Sequence, residues 1–138
     1  MSNYTPASRF TASMMHTLEA FVQEHLGLPW VDECWDLARG ADCWSWVHHC
    51  YRACGIDLPP NIWAAKSLFV PVAAPGAPGD ALYFEAPGLP RPHLGIRLRG
   101  LYVSDCNWGG SGVAIHDLTR GTWAECLKGA WRYSGETP

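Results

Sequence analysis

The stretch Asp42-Cys43-Trp44-Ser45-Trp46-Val47-His48-His49-Cys50-Tyr51-Arg52-Ala53-Cys54-Gly55 decides how the rest of the chain is read. It predicts one short helix with a cysteine in its first turn. Asp42 is a good N-cap, because its carboxylate accepts from N–H groups that the first turn leaves unpaired, and Gly55 is a good residue just past the end. At about 100° per residue, Cys43, Val47, Cys50, Tyr51 and Cys54 fall on one side. Trp44 and Trp46 flank that side. Ser45, His48, His49 and Arg52 lie opposite, which predicts an amphipathic helix with these four on its surface. Cys43 sits at the end of the apolar side, where the free N–H groups and positive pole of the helix favour thiolate over thiol. It is either a nucleophile or one more core cysteine of the kind Cys50 and Cys54 represent. Its partners downstream decide between the two.

At 138 residues the chain is long enough for one core and too short for two. We expect a tail at residues 1–10 and one domain at 11–135. No run approaches the roughly 20 apolar residues of a membrane span, so no membrane insertion is expected. A net charge of −3 and the lack of a basic, aromatic-interleaved patch argue against nucleic acid as a partner. Six cysteines are enough for a disulfide framework, yet Cys50 and Cys54 share a helical face and residues 1–10 lack a basic and then apolar leader. They read as free thiols of a protein made in a reducing cytoplasm. With no Cys-x-x-Cys pair, and with His48 and His49 turned from the cysteine side, no metal is expected.

Residues 11–26 place Met14, Leu18, Phe21, Val22 and Leu26 at helical steps, and Gly27 with Pro29 ends the pattern. His16 and His25 read as solvated or capping. Residues 28–41 are an irregular approach to the central helix. Within it Trp30 either lines a substrate cleft or anchors the loop. A short helix is expected at 62–69 and a Pro, Ala and Gly-rich loop at 70–79. From Asp80 the pattern changes to short β-type segments at 81–84, 93–98, 101–106 and 112–118, followed by a helical turn at 122–127 and an edge strand at 130–133. Helices first and an antiparallel meander second give an α+β fold.

Strand alternation puts His93, Gly95 and Arg97 on one face and Leu94, Ile96 and Leu98 on the other, with Gly95 leaving space beside the histidine. A three-residue hairpin loop, Leu98-Arg99-Gly100, would pair His93 with Asp105. A two-residue loop, Arg99-Gly100, would pair it with Cys106. Arg-Gly is a weak two-residue turn, so the first register is preferred. An aspartate facing a histidine can orient it and stabilise the imidazolium, as in a Cys-His-acid triad. Asn107, on the same face, is the alternative orienter.

Leu26-Gly27-Leu28-Pro29-Trp30, Gly40-Ala41-Asp42-Cys43-Trp44, Gly55-Ile56-Asp57-Leu58-Pro59, Pro78-Gly79-Asp80-Ala81-Leu82-Tyr83-Phe84, His93-Leu94-Gly95-Ile96 and Gly129-Ala130-Trp131-Arg132 together resemble the NlpC-type family of papain-like cell-wall peptidases, particularly versions from bacteriophage tail modules. The matches run in the family's order over nearly the whole chain. The resemblance implies a papain-like fold with N-terminal helices on the sheet. It also implies hydrolysis of amide bonds in peptidoglycan stem peptides, with Cys43 as nucleophile, His93 as base and Asp105 as the third polar residue. Trp30, Asp42 and Trp44 would border the substrate cleft, and no cofactor is needed. Asp105 stands where the family commonly has histidine, Ser45 and Trp46 where glycine and an aliphatic residue are usual, and Trp30 where tyrosine is common. Three functions follow as alternatives: a tail-associated peptidase acting at the host wall, an inactive tail subunit with tail proteins as partners, or an amidase cutting between muramic acid and alanine.

Overall fold

The computed structural model describes residues 7–85, 92–107 and 110–135. Residues 1–6 of the expected tail, and Arg91 ahead of His93, lie outside them. Helix α1, Ala12–Glu24, starts where the Thr11 hydroxyl accepts from the Met14 N–H. It buries Met15, Leu18 and Val22. Leu26, expected on this stripe, is exposed because the helix ends at Glu24 and the residue falls in the turn that follows. Ahead of α1, Phe10 lies edge-on against Tyr51 with ring centroids 5.4 Å apart, so the packed chain begins before residue 11.

Helix α2, Cys43–Ala53, is held at its start by a reciprocal cap: Asp42 Oδ1 accepts the Ser45 N–H at 2.7 Å, and Ser45 Oγ accepts the Asp42 N–H at 3.0 Å. Its supposed polar side is not on the surface. Ser45, His48 and His49 are buried, and Arg52 alone of the four is exposed. The loops before and after the helix fold over this side and give each imidazole one carbonyl partner, while His48 Nδ1 is buried without one among the described residues. His48 Nε2–H donates to the Leu58 carbonyl at 2.5 Å, and His49 Nε2–H donates to that of Trp35 at 3.0 Å.

Helix α3, Ile62–Lys66, is shorter than expected, and the segment read as a loop from residue 70 opens with a strand, β1, Phe69–Val72. Then follow β2 Ala81–Phe84, β3 His93–Leu98, β4 Tyr102–Asn107, β5 Gly112–Asp117, helix α4 Thr122–Cys126 and β6 Leu127–Tyr133. The sheet order is β1-β6-β2-β3-β4-β5, with every pair antiparallel. β2 to β5 form the expected meander. β6, however, is interior rather than an edge, because β1 pairs with its free side.

Helices α1 and α2 cover one face of the sheet. There Leu18, Val22, Trp46, Val47 and Tyr51 pack with Ile96, Leu98, Cys106 and Val113. On the other face Leu82, Phe84, Val103, Leu118 and Ala130 cluster with Trp123 of α4, Val103 alternating with Cys106 along β4. Asp80, almost wholly buried, accepts a paired contact from Arg132 at 2.8 and 3.0 Å and the Ala77 N–H at 2.7 Å. It thereby ties the Pro-Gly-Asp turn to β6. Among the described residues no helix is long and apolar enough to cross a membrane.

The β3–β4 register corrects both expected hairpins. Gly95 pairs with Asp105, Arg97 with Val103 and Leu98 with Tyr102, leaving Arg99-Gly100-Leu101 as the loop. Gly100 and Leu101 both take positive φ, at 72° and 61°. The pairing differs from the preferred one by two positions, an even number, so Asp105 stays on the face of His93 but opposite Gly95. Nor is the space beside Gly95 open. A Cβ there would lie 2.6 Å from Val103 Cγ2 and 2.9 Å from the Ser104 carbonyl oxygen. The glycine is there for close approach of β4.

Candidate active site

Cys43 is the first residue of α2, half-buried, at the mouth of the gap between that helix and the start of β3. The N–H groups of this first turn have no partners within the helix beyond those the Asp42 cap takes. His93, 6% exposed, enters from the sheet side as the first residue of β3. Its Nε2 lies 2.6 Å from Asp105 Oδ2, and Cys43 is near enough to the same ring to raise its affinity for a proton. With Nε2 given to Asp105, Nδ1 is the nitrogen left for the sulfur. The structure therefore brings Cys43, His93 and Asp105 together.

Electrostatics separates His93 from an ordinary histidine. Burial alone lowers its affinity for a proton. The hydrogen bond to Asp105, the nearby Cys43 and the charges of both outweigh that and raise its pKa from 6.5 to about 9. At neutral pH the site therefore holds an imidazolium beside Cys43. Other cysteines are in a different state. Burial pushes Cys50 well above the usual thiol range, Cys54 to about 11 and Cys106 to about 12. These three remain protonated core residues.

The remaining expected residues serve mainly as anchors. Asp42 caps α2 and also accepts the Glu33 N–H through Oδ2 at 3.0 Å, fixing the preceding loop to Cys43. Trp44 donates its indole N–H to the Pro60 carbonyl at 2.8 Å. Trp30 makes a backbone bridge to Ala41 and packs partly buried on the main cluster. Both tryptophans thus stand on segments that adjoin Cys43. Asn107 ends β4, and its side chain lies against Gly110 in the following turn, while the His93 ring is held by Asp105.

Two members of the constellation were missed in the sequence. His116 of β5 brings Nε2 to 2.7 Å from Asp105 Oδ1, so the aspartate is held by two histidines. Trp123 of α4 stacks on His116, with centroids 4.0 Å apart and planes at 17°, and also lies 5.5 Å from the His93 ring. Finding His116 required the β4–β5 register, which the glycine-rich turn between them leaves open.

Neither a family model nor a curated protein sequence matches the chain. Solved structures do match. An NLP/P60-family protein similar to a lipoprotein from Staphylococcus aureus superposes with TM-score 0.76 at 21% identity, over 98% of this chain and 46% of the other. The NlpC/p60 domain of the peptidoglycan hydrolase SagA gives 0.65 at 21%, over 84% and 96%. RipD from Mycobacterium tuberculosis, described as a non-catalytic NlpC/p60 domain protein adapted to peptidoglycan binding, gives 0.60 at 13%, over 86% and 95%. The fold is thus that of NlpC/P60 domains, and the chain spans less than half of the staphylococcal protein.

Proposed function

We propose that the protein is a cysteine peptidase that hydrolyses amide bonds in the stem peptides of peptidoglycan. The observation that carries this is the His93 ring, held by Asp105 at 2.6 Å and near enough to Cys43, the first residue of α2, for each to act on the other's charge. The likeness to SagA, a peptidoglycan hydrolase, supports the substrate class. With the proton of Cys43 already resting on His93, the thiolate adds to the scissile carbonyl. The oxyanion that forms meets the first-turn N–H groups of α2. The imidazolium then gives its proton to the leaving amine as the C–N bond breaks. Water, losing a proton to His93, attacks the thioester, and the products are a free carboxylate and the restored thiol. Asp105 orients the ring throughout.

Digestion of purified peptidoglycan, followed by mass spectrometry of the soluble fragments, tests the reading. Wild type should release fragments with new amino and carboxyl ends inside the stem peptide, and Cys43→Ala should release essentially none. Cleavage that instead separates glycan from intact peptide would assign the amidase reaction to the same residues. The likeness to RipD is the ground for a second reading, a domain that binds peptidoglycan without cutting it. Retention on insoluble peptidoglycan with no fragments released would favour that. Delivery by a phage tail, after synthesis in the bacterial cytoplasm, is part of the proposal on sequence resemblance alone. Detection of the chain among the proteins of purified virions tests it.

A further inference from the structure

The carboxylate of Asp105 has no exposed surface, and each of its oxygens is taken by a different histidine. The ladder explains how. Directly opposite Asp105 stand Gly95 on β3 and Ala114 on β5, the two smallest side chains available. His93 is two residues before Gly95 and His116 two after Ala114. Both therefore reach Asp105 along diagonals of the sheet, from opposite ends. One side of this arrangement is the proposed catalytic pair. On the other side, Trp123 holds the His116 ring by stacking, and it meets Phe84 edge-on at 5.3 Å.

We propose that His116 is a positioning residue for the Cys43–His93 pair, acting through Asp105. A buried carboxylate with one bonded oxygen can turn about its side-chain bonds, and its second oxygen is left without a partner, which disfavours the charged form. The His116 N–H fills that second place. It fixes the carboxylate plane so that Oδ2 faces His93. Among the described residues, the charged or titratable groups meeting His93 are Cys43 from α2 and Asp105 from β4, with His116 from β5 behind the carboxylate. α4 contributes the uncharged Trp123.

This inference rests on the peptidase reading for its consequence but not for its test. Iodoacetamide labelling of Cys43 at pH 6 should slow about tenfold in His116→Ala, the loss of one charge-assisted hydrogen bond, and recover to within about twofold in His116→Gln, which restores an N–H donor. A folded His116→Ala protein that labels at the wild-type rate would overturn the proposal. NMR supplies a second measurement that works even if the alanine variant does not fold. Wild type should show two downfield imidazole N–H protons, and in His116→Gln one should vanish while the His93 proton shifts. An unmoved His93 proton would equally overturn it. If wild-type Cys43 proves unreactive, the peptidase reading fails, and the His93 proton still decides whether His116 acts on that ring.

Discussion

At the scale of single residues, His93 is where burial and charge oppose each other, and charge wins. The consequence for stability has a definite sign. A histidine whose pKa is higher folded than unfolded stabilises the fold below about 6.5 and loses that contribution as pH rises toward its folded value. In Cys43→Ala, where no thiol titrates at the site, Asp105 still raises His93, though less than the two partners together. We expect urea unfolding of that variant to show stability falling as pH rises above 6.5, with the fall complete below pH 9, by on the order of 1 kcal/mol. The double variant Cys43→Ala, His93→Gln should lack this slope; a slope equal in both would remove His93 as its source. Cys43, His93 and Asp105 were legible in the sequence because a helix cap, a strand start and strand parity each constrain one of them. His116 was not, since its place depends on two hairpin registers at once.

At the scale of elements, α2 shows which parts of a helix its own sequence controls. Both ends follow from local chemistry, Asp42 with Ser45 at the start and Gly55, at φ 87°, just past the end. Which side faces water does not follow, because His48 and His49 are buried by segments 57–60 and 35–41 that fold over them. The cap is also what holds Cys43 at the helix start. Replacing Asp42 by Ala removes the cap and the tether to Glu33 together. It should cost about 1–2 kcal/mol, read as a lower urea midpoint at unchanged slope. Asn at the same place keeps a side-chain acceptor and should lose only a fraction of that. A midpoint unmoved by Asp42→Ala would mean that the start of α2 is held by packing alone.

For the molecule as a whole, the α+β order and the meander from β2 to β5 were readable from periodicity and punctuation. The outer half of the sheet was not. β1 is four residues with a proline among them, and its hydrogen bonds come from β6, about sixty positions away, so nothing local marks it as a strand. The same long-range pairing turns 127–133 from an edge into the sheet interior and lets Arg132 reach Asp80. Two apolar layers on either side of the sheet then leave Cys43 and His93 at the common end of helix and strand. The measurement that tests this arrangement most directly is the pH dependence of iodoacetamide labelling of Cys43, read by peptide mass spectrometry beside Cys126, which is also half-buried. The expected result is that Cys43 labels well below pH 7, at least tenfold faster than Cys126, and loses that advantage in His93→Ala. Equal rates for the two cysteines in wild type, or an undiminished Cys43 rate in His93→Ala, would contradict a thiolate held by the His93 imidazolium.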